Sequence, residues 1–293
     1  MYAANTGSNS QSLLETGDVF TPMPSSITDA KLIRMNKIGM VLHFAQASLM
    51  VATYFAVDSV HDFSRPVYNS YLVYDDDETS ENYMNFSQET RLVFHAKIGL
   101  ITPFFLFLSA IAHFIIVFVS PKNYLKGLEE NINRTRWWEY ALSSSLMIVM
   151  IAILFGVWDL GNLVAITGCN ISMNLFGLLM EEANDLRNTK KPVDWTAFLV
   201  GCFAGVVPWV NVLLAFLGAG DYSNIPGFVY GILIGYFIFF NTFPINMILQ
   251  YKRYGKWADY RYGEVVYIWL SLLSKSLLAW LVFGGTFQPN GSN

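Results

Sequence analysis

Uncharged apolar runs long enough to cross a bilayer recur along the whole chain. They occupy Ile38–Val57, Ile98–Val119, Tyr140–Trp158, Leu160–Met180, Trp195–Gly220 and Tyr222–Tyr251. A seventh, Val265–Gly284, is interrupted once, by Lys275. A spanning helix needs roughly 20 apolar residues, so the pattern predicts an all-α membrane protein, a bundle of seven transmembrane helices. Only Asp159 separates the third run from the fourth, with Gly161 beside it, which predicts a tight turn. A different rhythm lies between the first two runs. There Val67–Tyr74 has the aromatic and β-branched content of a strand. Its loop, residues 58–90, is long and acidic (Asp75, Asp76, Asp77, Glu78, Glu81), and a β-hairpin lid is expected there. It also holds the outward glycosylation sequon Asn85-Phe86-Ser87. The first 30 residues are polar and lack a signal-peptide core. They are expected to form a disordered tail ahead of one domain, residues 31–293.

Composition narrows the class further. The chain is 54% hydrophobic and only 14% charged, against about 25% charged residues in soluble domains. A net charge of −4 excludes a strongly basic nucleic-acid binder. Cys169 and Cys202 both lie in apolar runs and offer neither a disulfide framework nor a zinc site. No internal repeat and no paired broken helices suggest a transporter. Charge placement then orients the bundle. Fourteen of the 18 Lys and Arg residues fall at 31–37, 122–136, 187–191 and 252–261, all on the N-terminal side. The other side has Arg65, Arg91 and Lys97. By the positive-inside rule the N-terminus is cytoplasmic and the C-terminus outside. The lipid bilayer is therefore the main partner, and a plasma-membrane location is expected.

Lys275 is the residue with chemistry to explain. A cation in the middle of a membrane helix costs roughly 2.5–3.5 kcal/mol on insertion scales, and it lies about ten residues from either end, too deep for full snorkelling. One reading is a lysine paired with a carboxylate for packing alone. The other is a Schiff-base lysine, since a desolvated amine is a competent nucleophile toward an aldehyde. Ser271 and Ser274 precede it on its own helical face. A charged nitrogen there needs an anion, and Glu139 is the acid flanked by a long apolar helix that can turn inward. Spacing alone leaves open a second role for Glu139, as an interfacial glutamate among Trp and Arg anchors. A depth count puts Glu139 nearer the cytoplasm than Lys275, and a third helix beginning near Glu129 would reduce that mismatch. His43, with Gln46 three positions on, and His113, with Ser109 four positions back, fall at similar depth on the cytoplasmic side. With Glu139 they are expected to line a polar cavity below Lys275.

These residues resemble the heliorhodopsins, inverted seven-helix retinal proteins. The segment Ser271-Leu272-Leu273-Ser274-Lys275-Ser276-Leu277-Leu278-Ala279-Trp280 resembles the family's retinal-lysine helix. Trp138-Glu139-Tyr140, followed by Ser143 and Ser145, resembles its counterion segment. Cys169-Asn170-Ile171-Ser172-Met173, Pro208-Trp209 and Asn246-Met247-Ile248-Leu249-Gln250-Tyr251 are similar too. The resemblance implies covalent all-trans retinal on Lys275, Glu139 as counterion and Ser271 sharing the Schiff-base proton. It implies a polyene pocket lined by Phe240, Phe243, Trp209, Met173 and Asn170. It implies a Schiff-base cavity holding His43, Gln46, Ser109, His113 and Tyr140, and a homodimer to which the hairpin contributes. The function implied is a light sensor, not an enzyme, with an unidentified cytoplasmic signalling partner. A pump of the familiar microbial type has a second carboxylate eleven residues after its counterion, where this chain has Met150. A light-gated proton channel is the alternative. A zinc hydrolase lacks its ligands here, with no helical His-x-x-x-His.

Overall fold

A computed structural model of the chain describes residues 25–81, 83–188, 191–218 and 227–287. Its helices are α1 (Asp29–Ala56), α2 (Asp58–Asp62), α3 (Ile98–Phe114), α4 (Pro121–Glu129) and α5 (Arg134–Leu154). They continue with α6 (Leu160–Ala183), α7 (Thr196–Leu217), α8 (Gly227–Tyr251) and α9 (Tyr260–Gly285). A π-helical turn, Ile115–Val119, prolongs α3. Seven of these helices are long and apolar enough to cross a membrane. The five residues expected to begin the sixth span, 222–226, lie outside the described residues, as do 219–220 at the end of the fifth.

Several helices run past their apolar stretches because polar residues cap them. Thr28 accepts a hydrogen bond from the Lys31 N–H, Asn133 from Arg136, Asp159 from Asn162, and Asp259 from Arg261. Each cap satisfies a donor that the first helical turn leaves free. The third spanning helix therefore starts at Arg134, not near Glu129; the residues before it form the separate helix α4. The turn after α5 is tight, with Gly156 at φ +95°, a conformation that glycine adopts without a steric penalty. Of the expected tail, residues 1–24 lie outside the described residues, whereas residues 25–30 are ordered. Ser25 Oγ donates to Asp259 at 2.5 Å, and Arg261 Nη1 donates to the Ile27 carbonyl at 3.2 Å and pairs with Asp29. The segment that leads into α1 is strapped to the start of α9.

Between α2 and α3 stands an antiparallel hairpin, β1 (Ser64–Tyr74) and β2 (Phe86–Lys97). Its register runs from Ser64↔Lys97 to Tyr74↔Phe86, with a bulge at Val67/Tyr68. At the bulge the Tyr68 N–H leaves its partner strand and donates to the Trp158 carbonyl at 2.8 Å. That bond, with fully buried Val67, seats the hairpin on the end of the bundle away from the N-terminus.

The ring of helices places α1 against α3 and α9, α3 against α5 and α9, α5 against α6, α6 against α7, and α8 against α9. Between α7 and α8 the contact is made by rings, Trp209 on Tyr236, Phe237 and Phe240. Those two helices and α6 surround a pocket that α9 enters with Lys275.

Candidate functional site

Lys275 is 2% exposed. Its ammonium forms an ion pair with Glu139 Oε1 and donates to Ser109 Oγ at 2.7 Å. Ser109 in turn donates to the same carboxylate oxygen at 2.7 Å, closing a three-membered cluster from α3, α5 and α9. The Tyr140 ring centroid lies 5.1 Å from Nζ and adds a cation–π contact. Helix geometry accounts for the depth mismatch between Glu139 and Lys275. Eleven residues separate Glu264 from Lys275, roughly 16 Å of helix, and three separate Arg136 from Glu139, about 4.5 Å. Side chains lean toward their helix N-terminus, and both α5 and α9 begin at the N-terminal end. Arg136 thus reaches down to Glu264, Lys275 reaches down to Glu139, and the two long stems absorb the difference.

A cavity of about 30 Å³ opens beside this cluster, enough for a water molecule. Ser109, His113, Glu139 and Ser271 line it together with Asn36, Asn133, Arg136 and Glu264. His113 Nδ1 lies 2.7 Å from Asn36 Oδ1. The Asn36 amide is oriented by its own donations to the Leu32 carbonyl (2.9 Å) and the Tyr124 hydroxyl (3.3 Å). Its oxygen therefore accepts, and His113 carries its proton on Nδ1. Gly39 makes room for that ring: a Cβ there would sit 2.8 Å from His113 Nε2. His43 stacks on His113 at 5.8 Å, fully buried, and neither of its ring nitrogens has a hydrogen-bond partner among the described residues. The two histidines, Ser109, Glu139 and Tyr140 do come together. Gln46 does not join them: its amide accepts from Trp280 and donates to Ser276, on another face of α9. Three positions after His43, it has turned past the cavity.

The second pocket is larger, about 440 Å³, within the usual range for small-molecule sites. It begins at Lys275 and Ser274 and is walled by Tyr140, Met173, Trp209, Phe240 and Phe243. Tyr140 lines both cavities and stands between them. Gly205 lets the Met173 side chain lie flat, since a Cβ would meet its sulfur at 2.6 Å. Asn170 is not a pocket residue. It is fully buried behind the wall and donates to Ser144 (2.7 Å) and Ser145 (3.0 Å). Asn174, one turn further, lines the pocket in its place.

A second buried ionic cluster stands beside the first, with no counterpart among the site residues expected from the sequence. Arg136, counted there among the loop cations, is 6% exposed and pairs with both Glu181 and Glu264, each 2% exposed. Glu139 is thus not the sole inward-turned acid. The Asn133 N–H donates to Glu181 and its amide to Glu264, both at 2.8 Å. Tyr260 donates to Glu181 at 3.0 Å and Tyr124 to Glu264 at 3.1 Å. Burial and the neighbouring Glu264 carboxylate hold the Tyr124 phenol well above its usual range, so it remains a donor. A sequence signal existed: Glu264 stands eleven residues, three helical turns, before Lys275 and so shares its face.

The heliorhodopsin family model matches residues 32–287. Among solved structures the chain is similar to the rhodopsin of Exiguobacterium sibiricum, with 14% identity and a TM-score of 0.58. That similarity covers 89% of this chain and 97% of the other, and it shows a shared rhodopsin-like fold. Comparison with curated proteins finds no match.

Proposed function

The chain belongs to the heliorhodopsin family, and on that premise we propose that it is a light sensor of the plasma membrane with retinal on Lys275. The observation that carries this reading is the position of Nζ. It sits where an aromatic pocket of about 440 Å³ meets a buried carboxylate. Retinal, all-trans and held on that nitrogen as a protonated Schiff base, supplies light absorption and a light-driven change in the nitrogen's direction and basicity.

The chain's own residues supply the rest. Glu139 is the counterion, because a positive nitrogen in low dielectric needs a near anion. Ser109 bridges the two and fixes the carboxylate's rotamer. Ser271, lining the polar cavity one turn before Lys275, is placed to share the proton. Trp209, Phe240, Phe243 and Met173 present flat or pliable apolar surface to a polyene and keep water away from it. The hairpin and the bundle are proposed to pair with a second copy. The basic N-terminal-side loops face the cytoplasm and a signalling partner.

Sensing is favoured over proton conduction by the packing toward the hairpin. There Met50, Phe105, Leu106, Ile148, Met150 and Ile151 are each at most 1% exposed and fill the bundle axis. The proton that leaves the Lys275 nitrogen is therefore retained on the N-terminal side and returned. Purification with all-trans retinal should give a visible pigment, and flash photolysis a complete cycle. Glu139→Gln should shift that pigment red or bleach it to an ultraviolet form near neutral pH; an unchanged spectrum points to another counterion. Patch-clamp recording under light should find neither a stationary current at zero voltage nor one that reverses with the proton gradient.

A further inference from the structure

Arg136 is one cation between two carboxylates, so the buried group Arg136–Glu181–Glu264 holds one negative charge in excess. Burying an unbalanced charge is costly, and nothing in the reading above uses this one. Its position gives it a use. Glu264 and Glu139 line the same cavity, Glu139 beside the Lys275 ammonium and Glu264 beside Arg136, whereas Glu181 does not line it. Glu264 is faced by Tyr124 of α4 and by Asn133 and Arg136 of α5 and its cap, and Glu181 of α6 shares the guanidinium; Tyr260, at the start of the Glu264 helix, donates to Glu181.

We infer that Glu264 is the site that holds the proton after light drives it from the Lys275 nitrogen. The proposal rests on the retinal reading and names where the retained proton goes. The N–H bond at Lys275 breaks and an O–H bond forms on Glu264. The nitrogen loses its positive charge as the cluster loses its excess negative one, so the net charge around the cavity is unchanged and the unbalanced negative charge passes to Glu139. No proton need leave the protein. Arg136 then keeps a full ion pair with Glu181, which Tyr260 and the Asn133 N–H already hold in place. Glu264, once neutral, loses its claim on the guanidinium. The contact from α5 to α9 weakens while that from α5 to α6 persists. His113 is tied to the same carboxylate through Asn36 and Tyr124, at 2.7, 3.3 and 3.1 Å, so the change at Glu264 is also felt on α1 and α3.

Infrared difference spectroscopy of the purified pigment, light minus dark, tests this. A new carboxylic C=O band should appear as the nitrogen deprotonates, and it should move when glutamate is carbon-13 labelled. Tyr124→Phe removes a donor to Glu264 and should shift the band without abolishing it. Glu264→Gln should abolish it, and if that variant does not fold, the labelled wild type and Tyr124→Phe carry the assignment. A band that ignores Tyr124→Phe and vanishes in Glu139→Gln overturns the proposal. So does a completed deprotonation with no carboxylic band. Failure to form any pigment removes the retinal reading itself, a result visible before any infrared measurement.

Discussion

The two halves of the bundle on either side of Lys275 are built from opposite materials. Toward the N-terminal end lie Glu139, His43, His113, Asn36, Arg136, Glu181 and Glu264, all buried or nearly so and most of them hydrogen-bonded to one another. Toward the hairpin the axis is filled by Met50, Phe105, Ile148 and Ile151, where Thr102 Oγ1 donates to the Ile98 carbonyl at 2.7 Å and lies 3.2 Å from the Met150 sulfur. The polar half gains little net stability from its ion pairs, since desolvation offsets attraction; the apolar half gains from every buried methylene. On the function proposed above, stability and switching are housed apart. A charge moved in the polar half meets partners that can rearrange, while the apolar half gives the rearrangement something rigid to work against.

Substitution at the boundary between the two halves has the largest expected effect. Lys275→Ala should abolish the visible pigment completely, because Lys275 is the amine that opens into the aromatic pocket. A retinal adduct that survives denaturation in that variant would place the attachment elsewhere. In the polar half, Arg136→Gln leaves two buried carboxylates without their cation and should cost about 3–5 kcal/mol, read by thermal unfolding in detergent. In the apolar half, Met150→Asp buries a carboxylate with no ionic partner. It should cost about 2–3 kcal/mol as the group is forced to neutralise or draw in water; a variant as stable as wild type would show that half to be wet. The mildest probe is Tyr124→Phe, which removes one hydrogen bond to Glu264 and should cost about 1–2 kcal/mol.

Much of this architecture was legible in the chain, for identifiable reasons. Unbroken apolar runs have one outcome in a bilayer, and the β-branched stretch Val67–Tyr74 falls within the strand it suggested. Lys275 announced itself as a lone charge in an apolar helix. Arg136, Glu181 and Glu264 did not, because each lies near the polar end of its run, where charge is ordinarily solvated. What buries them is the packing of α4 and the start of α9 across those ends, a tertiary fact with no local signature. Asn170 and Asn174 show the same limit at finer scale. They sit one turn apart on a single face, and the packing of α6 on α5 and α7 decides which meets the pocket and which meets Ser145. Gln46 was lost in the same way, since three residues of helix carry a side chain far enough round to change neighbours.

The strap ahead of α1 has a mechanical meaning. Ser25, Ile27 and Asp29 are fastened to Asp259 and Arg261, the first residues of the helix whose sixteenth residue is Lys275. That helix is a rod with its load near the middle and a handle at one end, and the handle is the segment 25–29 that leads into α1. A twist or slide of the rod is transmitted as a pull on residues 25–29, over a lever arm of roughly 22 Å. The segment 25–29 is in this sense a pointer, coupled to the buried nitrogen by a rigid shaft.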